Sequence, residues 1–163
     1  MNNDELIEKL LEKEYLVIDF LPRQVPSGSA GQFFDVEEYL LSKGNKERLH
    51  GSFAEIVLKL NCYRDILVKE VNEEKWQLNP QPAELIRMFT RPKKNVFLQI
   101  LLEKDNTLIT FDSTDSYLTV YNPSSTLKTL LQQLAAAQGL FFRQSNDGKK
   151  TKTDKELKEW RTM

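Results

Sequence analysis

The stretch VFLQILLEKDNTLITFDSTDSYLTVY, residues 96–121, decides the fold of this chain. It reads as three short strands, 96–103, 107–112 and 117–121, rich in β-branched and aromatic residues. Asp105-Asn106 and Ser113-Thr114-Asp115-Ser116 stand where turns are needed, because Asp, Asn and Ser side chains hydrogen-bond their own backbone. Alternation then sorts the side chains. If Leu98, Ile100, Leu102, Ile109, Phe111, Leu118 and Val120 face a helical core, the other face carries Leu101, Leu108, Tyr117, Thr119 and Tyr121. The segment LQILLEK also fits a 3.6-residue period, so helix is the competing reading of 96–103.

On the N-terminal side, residues 4–13 place Leu6, Ile7, Leu10 and Leu11 on one helical stripe, with Asn3 as N-cap. The run YLVIDFL, 15–21, reads as a strand that stops at Pro22, with Asp19 sharing a face with Tyr15 and Val17. PRQVPSGSAGQ, 22–32, has no periodicity and reads as a loop longer than the usual two to six residues. Helices follow over 32–42, with Phe33, Phe34, Val36, Tyr39, Leu40 and Leu41 as apolar positions, and over 46–61. Gly44 suits the left-handed position after the first, and Asn45 can cap the second. A strand at 63–71 leads through a turn to KWQL, a returning edge segment. Pro82 suits the first position of helix 82–90, since its fixed φ is already helical.

After the meander, Leu127, Leu130, Leu131 and Leu134 stripe a helix over 124–138, with Gly139 and Leu140 forming its stop. GLFFR, 139–143, is a last short strand. The tail 145–163 is polar; Thr153 and Glu156 fit a capping box, so a short helix is expected at 154–161, presenting Leu157 and Trp160. The architecture expected is therefore α+β. It has a mainly antiparallel sheet of five to six strands including the meander, with helices packed chiefly on one face. Residues 1–144 form one domain and 145–163 a polar tail.

With 163 residues, 40% hydrophobic and 29% charged, the chain buries enough to fold without metals or disulfides. Its 23 basic and 24 acidic residues nearly cancel. That argues against nucleic acid as a partner, since such proteins are usually strongly basic. A single cysteine, no apolar run of membrane length and an acidic N-terminus point to a cytoplasmic protein.

No catalytic set, cofactor motif or metal-ligand spacing is present in the sequence. His50, the only histidine, falls off the Leu49–Phe53–Ile56–Leu60 stripe and is expected at the surface. Cys62 lies about 18 Å from it along one helix. The glycine-bearing loop could gather backbone N–H groups around a phosphate, with Arg23, Gln24, Gly28 and Gly31 as its ligand-binding residues. It matches neither G-x-G-x-x-G nor G-x-x-x-x-G-K-[ST]. The larger signal is the second face of the meander. It is more apolar and aromatic than a solvated sheet requires, so either something in the chain covers it, with the tail's Leu157 and Trp160 as candidates, or it receives a partner. The function expected is protein binding without catalysis, regulatory or inhibitory. Its contact residues are Tyr117, Tyr121, Leu108 and Trp76, with a homodimer through the same face as one form of it. A phosphate- or nucleotide-binding enzyme using the 22–32 loop is the alternative.

Overall fold

The strands of residues 96–121 form the middle of a seven-stranded antiparallel sheet, ordered β3-β2-β4-β5-β6-β1-β7. The computed structural model describes residues 2–22, 32–91 and 95–144. In chain order the elements are α1 (Asn3–Leu10), β1 (Tyr15–Asp19), α2 (Gln32–Leu40), α3 (Asn45–Asn61), β2 (Leu67–Glu70) and β3 (Gln77–Leu78). They continue with α4 (Pro82–Thr90), β4 (Phe97–Leu102), β5 (Thr107–Asp112), β6 (Tyr117–Tyr121), α5 (Ser125–Ala137) and β7 (Phe141–Gln144). The α+β class and the meander stand as expected. The seventh strand is the two-residue edge segment Gln77–Leu78, and β1 pairs with both β6 and β7.

Turn chemistry accounts for the tight connections. Asn106, with φ 49°, caps a 3-10 turn between β4 and β5; Asn is among the residues that best tolerate the left-handed region. At the next turn the Asp112 carboxylate accepts from the Thr114 N–H and hydroxyl. Helix α5 is capped at its start by Ser124, whose Oγ accepts from Leu127 N–H. It ends with Gly139 at φ 71°, with Leu140 N–H bonded to Ala135 C=O and Gly139 N–H to Ala136 C=O. That is the paired stop expected of a Gly after a helix. Two expected caps move by one residue: Asn2 caps α1 by accepting from Glu5 N–H, and Gly44 rather than Asn45 precedes α3. The Asn45 amide instead donates to Tyr39 C=O and Ser42 Oγ, closing the end of α2.

Helices α3, α4 and α5 cover one face of the sheet. Phe53, Ile56, Val57 and Leu60 of α3 meet Ile18, Val68, Leu98, Ile100, Ile109, Phe111, Leu118 and Val120 in one buried cluster. The face assignment of the meander is therefore as the alternation implies. Phe111 is its centre, with ring centroids 4.6 Å from Phe89, 5.9 Å from Phe53 and 5.1 Å from His50.

Helix α1 departs from the other helices. It lies on the opposite face, where Ile7 and Leu10 bury Leu101 and Leu108, with Leu6, Leu67, Trp76 and Tyr121 packed around them. Cover for Leu101 and Leu108 thus comes from within the chain, one of the two alternatives the sequence left open, and is supplied by the N-terminal helix. One expectation is corrected: Leu108, fully buried, offers no surface for a partner. The tail segment with Leu157 and Trp160 lies outside the described residues.

The second core rests on few side chains, so each should matter. We expect Leu10→Ala to destabilise the fold by about 2–3 kcal/mol, through lost burial and the cavity left behind. Leu11→Ala, one residue on and 45% exposed, should stay within about 0.5 kcal/mol of the parent. Urea unfolding of both variants measures the difference.

Candidate functional site

The outer face of the sheet is organised in rows set by strand register. The first row, Leu67, Leu101, Leu108, Tyr121 and Tyr15, runs across β2, β4, β5, β6 and β1 and is the row that α1 crosses. At its rim Lys69 Nζ sits 5.1 Å from the Trp76 ring centroid and 4.0 Å from Asp4. Trp76 is thus half-buried and part of the packing. Tyr121 is also half-buried, its ring 5.4 Å from that of Tyr15. Burial first, and then the neighbouring Tyr15 phenol, raise its pKa, while a hydrogen bond to the Thr110 side chain opposes them.

The second row is Lys69, Gln99, Thr110, Thr119, Val17 and Arg143, and beside it stand Phe97, Asp112, Tyr117, Asp19 and Phe141. In the second row Val17, Thr110 and Thr119 are buried, at 3%, 6% and 8% exposure, and Lys69 reaches Asp4 of α1. Arg143 and Asp19, on adjacent strands, form an ion pair at 2.9 Å. The other carboxylate oxygen of Asp19 accepts from Phe20 N–H at 2.7 Å. That oxygen is then not free for a two-pronged pairing with the guanidinium, and Arg143 Nε is left buried without a hydrogen-bond partner. Phe97 and Phe141 are 40% and 43% exposed at the two sides. Tyr117 and Arg143 are partly exposed between them.

The result is a surface of aromatic rings, hydroxyls and one paired arginine on a rigid sheet. Such rings supply contact area with little rotamer entropy to lose, and Tyr and Arg are the residue types over-represented where proteins bind one another. Of the expected contact residues, Tyr117 belongs to this surface and Tyr121 borders it. Leu108 and Trp76 belong to the packing under α1. Phe97, Phe141 and Arg143 were not singled out from sequence. They sit on two strands whose neighbours depend on an order that periodicity does not encode. Arg23, Gln24, Gly28 and Gly31 lie outside the described residues.

A second arrangement bears on catalysis. His50 Nε2 lies 2.9 Å from Ser116 Oγ, the spacing of a nucleophile and its base. Both are buried, at 6% and 1% exposure, so no substrate could reach the hydroxyl. The third contact of the imidazole is the backbone of Phe89 rather than an acid. The pair instead ties α3 and the end of α4 to the β5–β6 turn, where Ser116 holds a left-handed φ of 57°. The expectation of an exposed His50 is thereby corrected. The turn folds back over the helix and Phe111 meets the imidazole edge-on, at an interplanar angle of 86°. Among the described residues no group of three or more His, Cys, Asp or Glu could hold a metal ion.

Burial first, then the charge of Lys46, lowers the His50 pKa from 6.5 to about 4, with the hydrogen bond to the Phe89 backbone working against both. The unfolded chain therefore takes up this proton at a higher pH than the folded one. Stability from this residue is complete above pH 6.5 and is lost as pH falls toward 4. Its size is on the order of 2 kcal/mol once partial solvent screening is allowed for. Urea midpoints for the parent and His50→Gln should converge as pH falls through that window, and parallel profiles would contradict it. Comparison of the chain with protein-family models, with curated proteins and with solved structures finds no match in any of the three.

Proposed function

We propose that this chain is a protein-binding module, regulatory or inhibitory in role, that acts by surface contact without bond-making. The observation that carries the reading is the part of the outer sheet face beyond α1. There Phe97 and Phe141 are exposed and Tyr117 and Arg143 partly exposed on one stretch of the sheet. Sheet faces of this composition are costly to leave in water and well suited to a partner, because the rings are already held in place. The same face is the one on which the sequence expectation placed its contacts, with Tyr117 common to both.

A supporting consideration is chemical. The one serine–histidine pair is sealed inside the core, where it pins a turn.

The test is a photo-crosslinking amino acid placed at Tyr117 or Phe97 in the cell of origin, with Gln132 on the exposed side of α5 as control. A discrete adduct from the sheet-face positions and not from the control is expected. Tyr117→Ala combined with Phe141→Ala should weaken binding of the captured protein by at least about tenfold, as loss of aromatic anchors does, without lowering the melting temperature by more than a few degrees. Equal labelling at all three positions would rule the reading out.

A further inference from the structure

Helix α1 is held against the sheet by few contacts. Ile7 and Leu10 are its buried side chains, and Leu6 packs partly beside them. Among the described residues, the hydrogen bonds of 2–13 stay within the helix, its Asn2 cap and its last turn. Bonding to the sheet begins at Glu14, whose C=O accepts from Asn122 N–H at 2.9 Å. The ion pair from Asp4 to Lys69 spans 4.0 Å, with the Asp4 side chain 80% exposed. Helix α3, by contrast, sets Phe53, Ile56, Val57 and Leu60 into the main core, all fully buried. An element with so few buried side chains and no backbone bonds to its neighbours opens at lower free energy than the core does.

The surface beneath α1 is a site shaped for a helix. Leu101 and Leu108 form its floor, framed by Leu67, Trp76 and Tyr121. At its corner the Lys69 side chain is 12% exposed, with its ammonium 4.0 Å from Asp4 and 5.1 Å from the Trp76 ring centroid. A charge-assisted hydrogen bond closes to about 2.7–2.9 Å, so α1 leaves this nearly covered ammonium short of the acid it could hold. Helix α1 also displays the pattern that fits: an acid, Asp4, then apolar residues three and six positions later, Ile7 and Leu10. Positions three apart are neighbours on a helix surface, so the three line one stripe.

We infer that α1 is a displaceable strap, which swings away as a unit about residues 11–13 and yields its trough to a partner's amphipathic helix of the same pattern. In the resting molecule α1 fills the trough and keeps it closed. Because the chain is pinned at Glu14, α1 stays within a few residues of the site and its effective concentration there is high. A competing helix therefore needs a contact that α1 lacks, and an acid placed directly on Lys69 supplies it. Charge complementarity at that corner selects the register and the direction of the incoming helix. This inference does not depend on the sheet-face reading above, since α1, Leu101 and Leu108 lie outside that surface.

Two consecutive residues of β5 provide the probes. Leu108 and Ile109 are both fully buried, the first under α1 and the second in the main core. Cys62→Ser first removes the exposed thiol of the full chain. In that background Leu108→Cys should react with a thiol reagent, without denaturant, at least about tenfold faster than Ile109→Cys. Equal rates would mean that both are reached only through global unfolding, and would overturn the strap. Adding Ile7→Asp and Leu10→Asp should release α1, raise labelling at Leu108→Cys by at least about tenfold more, and preserve cooperative unfolding by circular dichroism. Loss of the fold in that variant would also overturn the proposal, which requires the sheet to stand without α1. A synthetic peptide of residues 2–13 at several hundred micromolar should then slow labelling of the released variant by about threefold. The same peptide with Asp4→Lys should protect less. A parent peptide that gives no protection, or an Asp4→Lys peptide that protects equally, would overturn the assignment of the trough to a helix of this pattern.

Discussion

A meander that is apolar on both faces needs cover twice, and the rest of this structure follows from that requirement. Ile100, Ile109 and Val120 point to one side of the sheet, and Leu101 and Leu108 to the other, all of them fully buried. Removing such side chains from water contributes about 1.5–3 kcal/mol each, more than any surface ion pair here can offer. Helices α3, α4 and α5 cover the first face around Phe111. On the second, α1 covers Leu101 and Leu108 through Ile7 and Leu10.

The character of the outer face changes where α1 ends. Under the helix the row is leucine; beyond it the row turns to threonine, tyrosine and the Asp19–Arg143 pair. An apolar row left uncovered would invite nonspecific association, whereas rings with hydroxyls tolerate water until something more specific arrives. The edges of the sheet differ as well. β3 is two residues long and is followed by Pro80 within a short break, a form that discourages further strand pairing.

Much of this could be read from the residues in order. Periodicity placed five helices, the alternation of the meander assigned its two faces correctly, and Gly139 with Leu140 marked the end of α5 as built. Caps slipped by one residue because Asn2 and Asn3 are chemically equivalent candidates, and only backbone geometry chooses between them. His50 was read as exposed because it lies off the stripe of α3. What buries it is a turn 66 residues away that hydrogen-bonds to it. Helix α2 misled in the opposite sense, since six apolar positions in eleven residues look like a core face when no neighbour is known.

By itself, the sequence determined local conformation, which residues share a face, and the absence of a recognisable catalytic motif. These depend on spacing and turn chemistry within a few residues. Which face each helix covers, where α1's cover stops, and which apolar side chains remain in water were decided only in the tertiary structure. The reason is physical: burial depends on contacts between segments far apart in the chain. The same amphipathic stripe serves equally well on either side of a sheet until strand order and connection lengths select one.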